Sequence, residues 1–215
     1  MKLLQLCKIS DDAVASVVDS FDRLPHTDHK DGKYRLRRYS VVELRTSFWN
    51  AQINVEVEKL DHREFSQDEH LNRHQGGMVR NFEEIEDEVL QSVGMKEILL
   101  SFKEANKLHD GQEVEIHQMR VSTQKDGTAK TSPEGVHQDG FDYIAMIGIS
   151  RHNISGGELL AYKTKKSNPF LNYALNGEMV MIKDDELWHN ATPIVAYPER
   201  EEQGHGDWFI LTAIA

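Results

Sequence analysis

The second half of the chain limits its fold most. From "HDG" at 109–111 onward, short apolar runs follow one another with turn signals between them. The runs "EVEIHQMRVST", "FDYIAMIGIS", "GELLAYK", "EMVMIK", "TPIVAY" and "DWFILTAI" read as strands, and Asp-Gly, Gly-Gly, Asn-Gly and proline-containing turns divide them. Short strands at this spacing build a sandwich or a barrel, here one of roughly eight strands.

The first third reads as support for that barrel. A short strand is predicted over residues 2–8 and a helix over 11–24, where Val14, Val17, Val18, Phe21 and Leu24 recur at helical spacing behind Ser10, a good cap. "YRLRRYSVVELR" alternates as a strand, with Tyr34, Leu36 and Arg38 on one face and Arg37, Tyr39 and Val41 on the other. A second helix is expected after "GGMVRN", with Asn81 as its cap, Glu84 three residues on, and Phe82, Ile85, Val89 and Val93 on one face. A third is expected over Glu97 to Leu108. The fold class is therefore α+β. At 215 residues it forms one domain, 1–215, with 1–111 as helical and strand support and 112–215 as the barrel core.

Charge removes several functions. A formal net charge of -11 disfavours a general affinity for nucleic acid or an anionic membrane, since both need basic surface. Cys7 is the only cysteine, which excludes an intramolecular disulfide and a thiolate zinc cage and fits a reducing cytoplasm. The opening "MKLLQLCKISDD" meets Asp11 and Asp12 too soon for a secretory signal, and no stretch approaches the length of a membrane span. A soluble cytoplasmic protein is expected.

The chemistry gathers in "SPEGVHQDGFDYIAM", residues 132–146. His137 and Asp139 are spaced so that, on an extended segment, both side chains leave from one face and can hold one ion. His-x-Asp alone is a weak signal. His189, in "DDELWHNATPI" between two predicted strands, strengthens it. Two histidines and one carboxylate are the ingredients of a facial triad that leaves positions open on non-haem Fe(II), whereas zinc needs only one open position.

The stretch "PEGVHQDGFDYIAMIGISRHNISGGELLAY", then "LWHNATPI" and a last strand, resembles the bacterial 2-oxoglutarate and Fe(II)-dependent dioxygenases that include the L-isoleucine 4-hydroxylases of free amino acids. The match is strong over 112–215 and looser through "RRYS" and "NRHQGGMVRNFEEI". The resemblance implies a double-stranded β-helix, a jelly-roll or cupin-like barrel braced by the N-terminal helices. It makes His137, Asp139 and His189 the iron ligands and so the catalytic centre. It also implies Fe(II), 2-oxoglutarate as co-substrate and O2, with a free L-amino acid or similar amine-carboxylate hydroxylated and succinate and CO2 released.

One position departs from the pattern. The family carries an arginine at the start of the final strand to clamp the distal carboxylate of 2-oxoglutarate, and this chain has "GHGDWFIL" with Gly206 there. Arg120, on the strand expected beside the last one, is the first substitute and Arg200 the second; Lys163 is a third. For the substrate, Gln67, Asn72 and Arg80 lie in a polar stretch that could fold over the barrel mouth, and Arg151 in "SRHNISGG" could orient a carboxylate. Trp188 and Trp208 could supply apolar wall. His26, His29, His62, His70, His74 and His205 lie in hydrophilic stretches and are expected to face solvent. The competing reading is a catalytically weak or non-catalytic metal-binding relative with a regulatory role, which Gly206 motivates. The partner expected is a small molecule, with a homodimer left open.

Overall fold

A computed structural model of the chain describes residues 2–50, 52–67, 69, 74, 76–124, 126–200 and 203–214, with the backbone alone for 52 and 200. In chain order the strands are β1 (Leu4–Lys8), β2 (Arg35–Trp49), β3 (Gln52–Lys59), β4 (Gln112–Ser122), β5 (Thr128–Ala129), β6 (Tyr143–His152) and β7 (Ile154–Gly156). They continue with β8 (Leu159–Tyr162), β9 (Leu171–Tyr173), β10 (Glu178–Lys183), β11 (Trp188–Ala191), β12 (Ile194–Ala196) and β13 (His205–Ala213). The helices are α1 (Asp11–Val17), α2 (Asp87–Leu90) and α3 (Val93–Asn106).

Seven strands form one antiparallel sheet in the order β1-β10-β6-β13-β4-β2-β3. The small sheets β11-β8-β9 and β5-β12-β7 pack over part of one face of it. Alternation assigns the two faces. On one face Ile116 of β4, Phe209 and Leu211 of β13 and Ala145 and Ile147 of β6 share a buried cluster with Val17, Phe21, Met95, Ile98, Leu99 and Phe102 from the helical segments. Each large side chain fully buried there stabilises the fold by about 1.5–3 kcal/mol. The residues between them, His117 and Met119, Ile210 and Thr212, Ile144 and Met146, turn the other way and line a cavity between the sheets. The antiparallel sheets make this a jelly roll. No described helix is long and apolar enough to cross a membrane.

The supporting elements differ from expectation in their ends. Ser10 does cap α1, accepting from Ala13 N–H at 3.1 Å, but the α-helix stops at Val17 and continues to Arg23 as a tighter 3-10 helix. No helix starts at Asn81. Ser40 Oγ accepts the Ile85 N–H at 2.9 Å and Tyr39 N–H donates to Glu83 O at 3.0 Å, so β2 holds that segment extended and α2 begins only at Asp87. α3 starts at Val93, four residues before the predicted Glu97, because Ser92 Oγ accepts the Met95 N–H at 3.1 Å. β3 and the short β5, β7, β9 and β11 were not anticipated.

Candidate metal centre

His137 and Asp139 come from the extended segment before β6, and His189 from β11. A reciprocal backbone pair ties the two segments: His137 N–H donates to His189 O at 3.0 Å and His189 N–H to His137 O at 2.9 Å. Paired residues of antiparallel segments send their side chains to one side. The two imidazoles accordingly lie with centroids 4.3 Å apart. Asp139, two residues on, returns to the same side, with Oδ1 3.4 Å from His137 Nε2 and Oδ2 3.4 Å from His189 Nε2. One ligand atom from each of the three lies within 4.8 Å of the others. A cation with bonds of roughly 2.1 Å at right angles needs donors about 3 Å apart; the two histidine–aspartate separations of 3.4 Å are near that, and the wider spread of the group would close around the ion.

The surroundings fix the donor atoms. His137 Nδ1 lies 2.8 Å from Gly135 O, which can only accept, so the proton sits on Nδ1 and Nε2 offers a lone pair. Asp184, fully buried, takes the Asp139 and Gly140 N–H groups on Oδ2 at 2.8 and 2.9 Å, and its Oδ1 stands 3.4 Å from His189 Nδ1. One carboxylate thus shapes the turn carrying Asp139 and orients the histidine opposite. Gln67 Nε2 donates to Asp139 Oδ1 at 3.0 Å.

Electrostatics favours a dication here. Burial alone would raise the Asp139 carboxyl, but contacts with His137 and His189 hold it well below the usual carboxylate range. Burial pulls His189 down, yet Asp139 and Asp184 outweigh it and lift the metal-free imidazole to about 10. A metal ion replaces that proton.

A second group of charges lines the same cavity. Arg35 and Arg37 project into it from β2, and Arg80 from the segment bridged to Phe65. Arg80 Nη2 reaches Gln67 Oε1 at 3.4 Å, its guanidinium 4.7 Å from the Phe65 ring centroid. Arg35 pairs with Asp31 at 3.7 Å, and His74 Nε2 meets the same carboxylate at 2.7 Å. Arg37 has no carboxylate partner among the described residues: it rests on Met119 Sδ at 3.2 Å and over Phe82 at 5.4 Å. Its pKa is depressed by burial and then by Arg35 and Arg80, and the same causes in the order burial, Arg37, Arg80 keep His117 well below an ordinary histidine. Glu134 lines the opposite side, with Oε1 3.3 Å from His137 Nε2.

The residues singled out in the sequence fall in different places. Gln67 and Arg80 join the cavity beside the metal group. Asn72 lies outside the described residues, as does the side chain of Arg200. Lys163 is exposed. Trp208 lines the cavity, whereas Trp188 lies away from it under the Lys165 ammonium at 5.0 Å. Arg151 stands behind the cavity wall rather than in it. His74, expected in solvent, lines the cavity, and His205 is partly buried with its ring centroid 5.1 Å from that of His152.

Arg120 is a correction. It does lie beside the last strand, opposite Asp207, but its parity on β4 is that of Ile116, so it points to the helical face, away from the cavity. There it grips the fully buried Asp207 through Nε at 2.6 Å and Nη2 at 2.9 Å and reaches Asp22 at 2.7 Å, while Ser150 Oγ donates to Asp207 at 2.6 Å. It is a structural cation. Asp207→Ala should lower unfolding free energy by about 3 kcal/mol in denaturant titration, because it leaves a half-buried guanidinium with the exposed Asp22 in place of a buried, bidentate partner. Arg120→Gln should leave 2-oxoglutarate binding unchanged by calorimetry.

Sequence reading missed Asp184, Glu134, Arg35, His117 and the inward turn of Arg37. Only Asp184 carried a local signal, as the first of three consecutive acids shortly before His189.

Residues 18–212 match the family described as 2OG-Fe dioxygenase. The chain belongs to that family. Among curated proteins none matches this dioxygenase in sequence. A solved structure of a BsmA homologue from Methylobium petroleophilum PM1 superposes with a TM-score of 0.74 at 23% identity, covering 95% of this chain and 81% of that one. IDO from Bacillus thuringiensis gives 0.71 at 15% identity, covering 96% and 88%. TqaL, an Fe(II)/α-ketoglutarate-dependent dioxygenase, gives 0.69 at 11%, covering 99% and 82%. At these identities the likeness is one of fold. As a 2OG-Fe dioxygenase the protein uses Fe(II), 2-oxoglutarate and O2, and a His-Asp-His group is present to hold the metal.

Proposed function

We propose that this dioxygenase hydroxylates a free L-amino acid or a similarly small amine-carboxylate, in the manner of the L-isoleucine 4-hydroxylases its sequence resembles, and that His137, Asp139 and His189 hold its iron. The observation that carries the substrate class is Arg37, a cation lining the cavity with no carboxylate partner among the described residues, set among Arg35, Arg80 and His117. A guanidinium stays protonated, so its depressed pKa expresses a destabilisation that an incoming carboxylate relieves. Glu134 supplies the complementary anion for an ammonium on the metal side. The cavity encloses about 120 Å³ of free space, room for roughly ten water-sized groups, which favours small molecules.

Bound iron with 2-oxoglutarate and O2 supplies the oxidising power to convert a C–H bond to C–OH. The chain's own residues do the rest. Arg37 and Arg80 seize the substrate carboxylate, and Gln67, bonded to both Arg80 and Asp139, links that grip to the metal ligand. Phe65, Ile144, Met146 and Ile210 keep water from the reacting carbon. The lone Cys7 accords with work in a reducing cytoplasm.

The test is succinate release from 2-oxoglutarate, screened over the free amino acids with fresh Fe(II). One or a few should stimulate it. Arg37→Met should then cost roughly 100-fold or more in kcat/KM for that amino acid, while the melting temperature of the ligand-free protein stays level or rises, since a poorly paired cation has been removed. Stimulation by a peptide-bound residue alone, or an Arg37→Met enzyme with normal kcat/KM, would overturn the reading. Absence of succinate with every compound would favour the regulatory reading that Gly206 motivates.

A further inference from the structure

We infer that the guanidinium that holds the distal carboxylate of 2-oxoglutarate in this chain has moved across one strand pair, from position 206 on β13 to Arg151 on β6. The inference rests on the dioxygenase reading above and assigns one of its missing contacts.

Three observations place it there. Gly206 pairs directly with Arg151 in the β13–β6 register, so side chains at the two positions leave from the same side of the sheet. That side carries Trp208, two residues along β13, which lines the cavity. An ideal Cβ at Gly206 would come within 2.0 Å of Trp208 Cη2, so the indole covers position 206 and leaves no room for a side chain. The strand that should carry the arginine has given its space to an aromatic ring.

Arg151 has what the position lost. Its Nη2 donates to Gly156 O, which fixes the plane of the guanidinium. Its Nη1 is buried and has no hydrogen-bond partner among the described residues. A buried guanidinium nitrogen without an acceptor is costly, and an anion placed against it removes the cost. Nη1 sits 3.4 Å from an ideal Cβ on Gly157, and Trp208 Cζ2 lies at the same 3.4 Å. Both Gly157 and Trp208 line the cavity. Nη1 is screened from the cavity at Gly157, which has no side chain, by the edge of the Trp208 indole and by Ile194, whose Cγ2 would lie 2.9 Å from a Cβ there.

The direction from the metal is also right. Along β11 the cavity wall runs from His189 to Ala191, which pairs with Leu159, next but one to Gly157. Gly157 is level with Pro193, so about 13 Å of extended chain separates its level from that of His189, a span shared between a five-carbon diacid on the metal side and the Arg151 side chain. Ser132 Oγ, another buried polar atom with no partner, lines the same cavity and adds a hydroxyl donor. The chemistry recognised is a 2-oxo diacid, with Arg151 giving Nη1–H to one oxygen of the distal carboxylate.

The experiment is an anaerobic titration of the Fe(II)-loaded full-length protein with 2-oxoglutarate and, separately, pyruvate, which lacks the distal carboxylate. Both are followed by the visible charge-transfer absorption of a 2-oxoacid chelated to Fe(II). Wild type should prefer 2-oxoglutarate. Arg151→Gln, which keeps a donor for Gly156 O, should weaken 2-oxoglutarate by roughly 10- to 100-fold and leave pyruvate within about threefold. Adding Gly206→Arg with Trp208→Val to that variant should restore most of the preference. Normal 2-oxoglutarate affinity in Arg151→Gln, equal weakening of both acids, or loss of the preference in Arg37→Met instead would each overturn the assignment. A wild type that chelates neither acid would sink the dioxygenase reading itself, a different outcome from any of these.

Discussion

Asp139→Asn should abolish iron-dependent turnover, with a fall in kcat/KM of more than about 10³-fold, equivalent to about 4 kcal/mol, while the fold survives. The substitution keeps the shape of the side chain and removes its charge. Asp139 is the only carboxylate in the His-Asp-His group, with one oxygen facing each histidine at 3.4 Å, so a neutral amide leaves the dication two imidazoles and, as counter-charge, Glu134, which faces His137 but not His189. Stability should change little in the metal-free protein. The charge on His189 depends on Asp139 and Asp184 together, and losing the first returns a buried imidazole towards its neutral form, which burial tolerates. Gln67 can turn its amide to meet the new one. Calorimetry with Mn(II) or Fe(II) under nitrogen should then show no binding at concentrations that saturate wild type, with melting temperatures a few degrees apart at most. Turnover within tenfold of wild type would remove Asp139 from the metal site.

How much of this was legible in the sequence depends on what alternation can and cannot say. Turn residues between short runs announced a barrel because each run is too short to do anything but pair. His137 and Asp139 were visible because spacing by two puts side chains on one face of any extended segment, without a full strand; here the pair sits in a single-bridge segment before β6. Alternation also separates neighbours correctly, Arg37 from Arg38 and Met119 from Arg120. It does not say which of each pair faces inward. That is decided by the helices that cover the other face, and Arg120 accordingly went to Asp207 while Arg37 went to the cavity. The helix expected from Asn81 failed for a related reason: with its backbone bound by β2 the segment is extended and still buries Phe82 and Ile85, but on opposite sides and in different clusters. Gly206 was legible as a loss. The gain across the strand pair was not, because it needs the register of β13 against β6, which no local pattern contains.

Asp184 carries the other large expectation, and two substitutions separate its two roles. Asp184→Ala should lower stability by about 3 kcal/mol, because the Asp139 and Gly140 N–H groups lose a buried acceptor and each such group costs roughly 1–3 kcal/mol when stranded. It should also weaken metal binding by roughly 10- to 100-fold, since His189 loses the carboxylate 3.4 Å from its Nδ1 and Asp139 loses the turn that aims it. Asp184→Asn keeps an oxygen for the two N–H groups and removes only the charge. Its denaturant midpoint should therefore stay near wild type while metal affinity still falls, by roughly tenfold at the low end of the range for such supporting residues. The pair of variants distinguishes a carboxylate that merely props the turn from one that also tunes the histidine. If Asp184→Asn binds metal as wild type does, the charge facing His189 contributes nothing and Asp184 is a structural acceptor alone. If Asp184→Ala loses neither stability nor metal, then the backbone groups it holds find other acceptors, and the turn that presents Asp139 is set by something other than this buried carboxylate.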